Sequence, residues 1–396
     1  MVINNPKVIR INSEKTIVIL GGGTGGLVTA NILRKKLKKN HRIILIDKEE
    51  YHFFPPSYLW VMMGWRKIDK VKKSLERLNR KRIEFIQAEV KKIDLQNKQV
   101  VLKSEADSIL YDYLILALGA ELDLTSLPFD SEDVHLFYSF AGLEPLKKRL
   151  ETFTQGVVTL VIASLPYKCP AAPYEAALFL RNYFNKKNRN QIEINLYAPE
   201  PAPLPVAGPD VGLAVTQMFE DFKINYYPNS QFKNIIPEKK TIHFVDGSSQ
   251  DYDLCLVVPP HKAPNIVGEA GLTDDSGWIP SDRSTLKTQY SNVYAIGDVT
   301  SIKLPNGGIL PKAGIFAHKH AEVVAENISA EILDHPKRIK YEGNGSCFIE
   351  IGNGKAGYAS GNFYKTPKPE VKVYKPRRYW HWSKVIFEKY WFRKWF

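Results

Sequence analysis

Short apolar runs alternate with helix-like stretches along the first 120 residues. Thr16-Ile-Val-Ile-Leu20 runs straight into glycines, as a parallel strand covered on both faces does. Residues 27–37 have a helical pattern, 42–47 read as a second strand, and 113–118 as a third, ending at Gly119-Ala120. A second set follows. Residues 157–163, 192–197 and 253–258 read as strands, and 174–184 as a helix with Pro170 and Pro173 just ahead of it. Pro-rich 199–209 reads as a loop. Residues 293–298 form a further strand ending in Gly297-Asp298, before a helix-like 314–333. The last 60 residues break into short basic and aromatic pieces. This alternation predicts an α/β fold with two Rossmann-like dinucleotide-binding domains and a distinct C-terminal region.

Composition narrows the classes. With 396 residues, 44% apolar and 24% charged, the chain is globular and long enough for two or three domains. Three cysteines cannot form a disulfide framework. The formal charge of +13 points to an anionic partner such as nucleic acid, an acidic lipid surface or an anionic substrate. The polar start of the chain does not resemble a secretory signal, and no apolar run is long enough to span a bilayer as a helix.

The segment 21–26 holds G-x-G-x-x-G at Gly21, Gly23 and Gly26. Glycines there let the backbone turn tightly and approach a pyrophosphate, which then meets the free N–H groups of a helix start. The context fits: a strand precedes, a helix follows, and Asp47 ends the next strand 21 residues after Gly26, where a carboxylate can hold a ribose hydroxyl. The matching place in the second set, after 157–163, has no such loop. It reads Ser164-Leu-Pro-Tyr-Lys-Cys169-Pro-Ala-Ala-Pro173, so bulky and imino residues stand where a pyrophosphate would have to lie. Nicotinamide binding is therefore disfavoured. Cys169 occupies the position instead, ahead of a helix start, a setting expected to lower a thiol pKa.

Gly297-Asp298 resembles the second flavin-contact motif of two-dinucleotide-domain flavoproteins, where the Asp holds the ribityl chain. The strand ending at Gly119 resembles the one that closes the same FAD site. Cys169-Pro-Ala-Ala-Pro-Tyr-Glu175, Pro203-Leu-Pro-Val-Ala-Gly-Pro209, Leu310-Pro-Lys-Ala-Gly-Ile-Phe-Ala317 and Gly345-Ser-Cys-Phe-Ile-Glu350 are together similar to the sulfide:quinone oxidoreductase family, related to flavocytochrome c sulfide dehydrogenase. The likeness covers roughly residues 15–360. It implies an FAD enzyme in which Cys169 and Cys347 form a redox pair beside the flavin. Sulfide would open a bridge between them, two electrons would pass to FAD and on to a membrane quinone, and the sulfur would leave as polysulfide. Lys312 matches the family lysine beside the flavin pyrimidine ring. Glu175 and Glu350, close after the two cysteines, are candidates for moving protons.

On this reading residues 13–120 and 276–335 form the FAD-binding domain, 121–275 a second Rossmann-like domain carrying Cys169, and 336–396 the region with Cys347 and the tail. One departure stands out. No cysteine precedes Cys169, so the flavin tether that some members carry is missing, and Cys255, inside an apolar strand, reads as core packing. His318 and His320 receive no role, and no spacing suggests a metal site.

The tail, 374–396, holds ten aromatics and seven Lys or Arg against one acid, Glu388. Such a segment is expected to lie in a membrane interface, with Ile386, Phe387, Tyr390, Trp391 and Trp395 on its lipid side. Its removal is expected to leave a folded, FAD-bound protein. The resulting expectation is a peripheral protein on the cytoplasmic face of the cell membrane, compatible with a homo-oligomer and without a nucleic-acid partner. The alternatives are a type II NADH:quinone dehydrogenase, the flavoprotein subunit of a sulfide dehydrogenase, and a flavin-bearing binding protein.

Overall fold

The computed structural model describes residues 14–103, 108–125, 127–129 and 131–396. Most of the polar start of the chain lies outside the described residues. Two five-stranded parallel sheets organise the molecule. In the first, the strand order is Val293–Ala295, Tyr113–Leu116, Thr16–Leu20, Arg42–Asp47, Glu84–Gln87. In the second it is Val134–Leu136, Leu254–Val258, Val157–Ile162, Glu193–Tyr197, Asn225–Tyr227. Their central strands are Val-, Ile- and Leu-rich and buried beyond the first residue of each, because helices or loops cover both faces. Helix Thr24–Lys36 packs against helix Gly314–Ile332, and its last turn carries Arg34, Lys35 and Lys36, which suit the negative end of the helix dipole.

Each sheet reverses its strand order beside the central strand, and ligands gather in the crevice outside the carboxyl ends at such a point. In the first sheet the glycine loop leaves Thr16–Leu20 there. In the second, the chain towards Cys169 leaves Val157–Ile162 there.

The C-terminal region is more ordered than its short pieces predict. Asn344–Gly352, Lys355–Asn362 and Glu370–Arg377 form an antiparallel sheet, which leads into helix Arg378–Trp395. That helix does not hang free. Lys384, Glu388, Trp391 and Trp395 are buried, and the two indoles join the core beneath the first sheet. At about 25 cal/mol per Å² and roughly 200 Å² each, burying two indoles contributes on the order of 10 kcal/mol before ordering costs. The lipid-side grouping expected from sequence is thereby corrected: Trp391 and Trp395 face the protein, while Tyr379, Trp382, Ile386 and Tyr390 are exposed. The docked face means that removing the tail would uncover both indoles.

Candidate active site

Gly21 turns the chain with φ +103°, and a Cβ there would stand 2.4 Å from the Ala117 carbonyl oxygen. A Cβ on Gly26 would come within 1.8 Å of the Gly21 carbonyl oxygen, so only glycine lets the helix start this close to the turn. Around Gly23 the space is open for 4 Å. Asp47 accepts from the Gly22 and Glu49 N–H groups; burial raises its pKa, and these donors oppose the rise. Gly119, at φ +70°, also leaves open space where a side chain would be.

Across the sheet, Gly297 has φ +72°, and Asp298 follows with its Oδ1 buried and unpartnered. A buried carboxylate oxygen without a donor calls for a hydroxyl. Lys312 Nζ donates to the carbonyls of Asp298 (2.8 Å) and Thr300 (3.0 Å) and lies 3.3 Å from the centre of the Trp278 ring. Burial pulls its pKa down to about 8 against the attraction of Asp298. An open glycine cradle, a carboxylate at the second strand end and an orphaned Asp oxygen fit a flavin dinucleotide.

Cys169 sits at φ +52°, a left-handed conformation that costs a Cβ-bearing residue about 1–3 kcal/mol. Three hydrogen bonds hold it there. Its N–H donates to the Lys312 carbonyl (2.7 Å), and its own carbonyl accepts from Ala172 N–H (2.9 Å) and Tyr138 O–H (3.1 Å). Cys347 comes from the C-terminal sheet, opposite Ala359. It opens onto an apolar cavity of about 290 Å³, whose lining includes Tyr167, Leu204, Ile315, Phe316 and Phe363. Cys347 is close enough to add to the rise in the Cys169 pKa.

Beneath them lies a buried polar cluster. Glu175, in the first turn of helix Ala172–Lys186, accepts the Glu350 N–H (2.7 Å) and stands 3.5 Å from Lys384 Nζ. Glu350 is fully buried, with both oxygens 3.0 Å from His381 Nδ1 and one 3.9 Å from Lys384. Burial disfavours the Lys384 ammonium, but Glu175, Glu350 and the two cysteines outweigh it, and its pKa is raised. Burial lifts Glu175. Burial also lifts both thiols, Cys347 to about 12, and Glu175 adds to each rise while Lys384 opposes it. The expectation of a lowered Cys169 pKa is therefore reversed. Cys169 precedes the helix by three residues, and desolvation, reinforced by Cys347 and then by the Glu175 carboxylate, overrides the helix end.

Lys384, His381 and Trp391 escape sequence reasoning because the tail's aromatics and basic residues suit a lipid interface as well as a protein one. The spacing of Lys384, Glu388, Trp391 and Trp395 at i, i+4, i+7 and i+11 was the available signal of a buried stripe. His320 is buried and accepts the Gly297 N–H at 3.3 Å, supporting the turn before Asp298. Cys255 is fully buried in its strand. Among the described residues no group of three His, Cys, Asp or Glu could hold a metal ion.

The pyridine nucleotide-disulphide oxidoreductase model matches residues 15–158 and 174–322. The chain is 27% identical over 390 residues to the sulfide-quinone reductase of Aquifex aeolicus, covering 95% of this chain and 90% of that one. It is 24% identical to the mitochondrial sulfide:quinone oxidoreductase of Mus musculus, over 85% of this chain and 75% of that protein. A type II NADH:quinone oxidoreductase of Haemophilus influenzae is 25% identical, with 89% of each chain covered. The solved structure of the Aquifex aeolicus sulfide:quinone oxidoreductase superimposes with a TM-score of 0.86 at 26% identity, covering 96% of this chain and 91% of that one. The cofactor that the cradle fits is FAD. The chain belongs to the pyridine nucleotide-disulphide oxidoreductase family and, along nearly its whole length, is similar to the sulfide:quinone oxidoreductases.

Proposed function

We propose that this protein oxidises hydrogen sulfide and delivers the electrons to a membrane quinone. The observation that supports the reading is that Cys169 and Cys347, from different elements, both feel the charges of Glu175 and Lys384 in one buried cluster, in the place where a nicotinamide-binding relative needs a glycine loop.

Hydrosulfide attacks a bridge between the two cysteine sulfurs. One cysteine becomes a persulfide and the other leaves as a thiolate. FAD, when bound, supplies a two-electron acceptor beside the cysteines and a donor towards quinone. The rest falls to the chain. Lys384, held as an ammonium, steadies the released thiolate and so offsets the burial that raises both thiols. Glu175, lifted by burial, can take a proton from the incoming sulfide. His381 links this cluster to the tail through Glu350. Lys312 uses two of its protons on backbone carbonyls and keeps a positive charge beside Asp298. The apolar cavity at Cys347 has room for a lengthening sulfur chain.

The exposed face of the C-terminal helix, with Tyr379, Trp382, Ile386 and Tyr390 beside exposed Arg378, Lys389 and Arg393, is suited to an anionic lipid interface, where a quinone resides. No helix among the described residues is long and apolar enough to cross a membrane. The test is anaerobic addition of sulfide to the purified holoprotein: the flavin band bleaches with sulfide and is restored by a quinone. Equal bleaching by NADH would move the reading to the type II dehydrogenases.

A further inference from the structure

The helix that meets the cysteines through Lys384 reaches the other end of the cofactor site seven residues later. Trp391 Nε1–H donates to His52 Nε2 at 3.0 Å, and His52 Nδ1 lies 2.9 Å from the Gly22 carbonyl oxygen. Both side chains are buried, at 1% exposure for His52 and 2% for Trp391, and their rings stack with centroids 5.9 Å apart. An indole nitrogen can only donate and a carbonyl can only accept. The imidazole must therefore be neutral, with its proton on Nδ1. Gly22 lies between Gly21 and Gly23, and its N–H is already taken by Asp47. The peptide groups on both sides of Gly22 are thus pinned, one by the strand end and one by the C-terminal helix.

We infer that Trp391 and His52 are positioning residues for FAD: the indole N–H selects the imidazole tautomer that holds the Gly22 carbonyl, and this fixes the glycine loop in its pyrophosphate-receiving shape. Without the indole N–H, Nε2 becomes a buried acceptor with no donor. The imidazole also loses the contact that fixes its place against the loop, so the Gly22 carbonyl is held less firmly and the loop's N–H groups are no longer fixed in the positions a pyrophosphate needs. The C-terminal helix is on this account a part of the cofactor site, in addition to any role at a membrane.

The experiment uses full-length protein stripped of FAD and titrated with FAD, with dissociation constant and release rate read by flavin fluorescence. Neither sulfide nor quinone is needed, so the outcome is independent of the proposed activity. Trp391→Phe keeps a ring and removes the donor. His52→Phe removes both contacts. His52→Asn puts an amide N–H where Nδ1–H stood. Trp391→Phe and His52→Phe are expected to weaken FAD binding about three- to tenfold, the range for one to two lost hydrogen bonds. His52→Asn should stay within about twofold of the parent. Unfolding of each apo form separates a general loss of stability from a loss of cofactor affinity. Parent-like FAD binding in Trp391→Phe would overturn the inference. So would equal weakening in His52→Asn and His52→Phe, and that comparison decides the matter if Trp391→Phe does not fold.

Discussion

At the scale of single residues, the three cysteines separate by surroundings alone. Cys347 opens to the cavity, Cys169 is half-buried and pinned in a left-handed turn, and Cys255 is sealed in a strand. Changing either Cys169 or Cys347 to Ser should reduce sulfide-dependent quinone reduction at least a hundredfold while FAD stays bound. Cys255→Ala should remove no more than a few kcal/mol of stability and leave turnover near that of the parent. Quinone-coupled assays and flavin absorbance check both. Burial also lowers the pKa of His52 to about 4. The folded state then binds fewer protons than the unfolded chain between pH 6.5 and 4, so this group's contribution to stability is full above pH 6.5 and is lost as pH falls towards 4. By linkage the loss at pH 4 is about 3 kcal/mol. Denaturant unfolding of parent and His52→Asn at pH 7 and pH 4 should show the parent losing more by roughly that amount. A difference unchanged between the two pH values would refute it.

At the scale of elements, legibility followed periodicity. Thr16–Leu20 and Arg42–Asp47 stand where the apolar runs placed them, because strands buried on both faces need uninterrupted Val, Ile and Leu. Glu84–Gln87 did not show itself: it is a half-exposed edge strand whose polar ends look like loop. Helix Pro209–Phe222 was hidden by the prolines ahead of it, although Pro209 itself is its first residue. The C-terminal helix misled most. Ten aromatics and six net positive charges in 374–396 read as one lipid-seeking face, whereas the helix has one face docked on the protein and one exposed. Each face can be tested separately. Replacing Trp382, Ile386 and Tyr390 together by Ser should leave FAD binding and sulfide bleaching intact but cut co-sedimentation with anionic liposomes severalfold. High salt should release part of the parent and more of the variant, because aromatic insertion is not screened. Equal binding by the two proteins would place the membrane contact elsewhere.

At the scale of the whole molecule, the cofactor site was legible because Gly21, Gly23, Gly26, Asp47 and Asp298 are local signatures, each fixed by its own turn. The cysteine site was legible only as two separate neighbourhoods. Its cluster is assembled from residues 175, 350, 381 and 384, and no spacing in the chain announces such a meeting. The segments that follow the two parallel sheets are joined beside Cys169, where Lys168 pairs with Lys312 as a parallel bridge and Cys169 N–H donates to the Lys312 carbonyl. Swinging one sheet away from the other would tear that seam and the turn that holds the cysteine. On the proposed function, sulfide then reaches the cysteines through the cavity with this seam intact. Solvent friction then has little to act on: the rate of flavin bleaching by saturating sulfide should be nearly the same in buffer and in viscous sucrose or glycerol, as expected of an enzyme whose first half-reaction runs without a hinge.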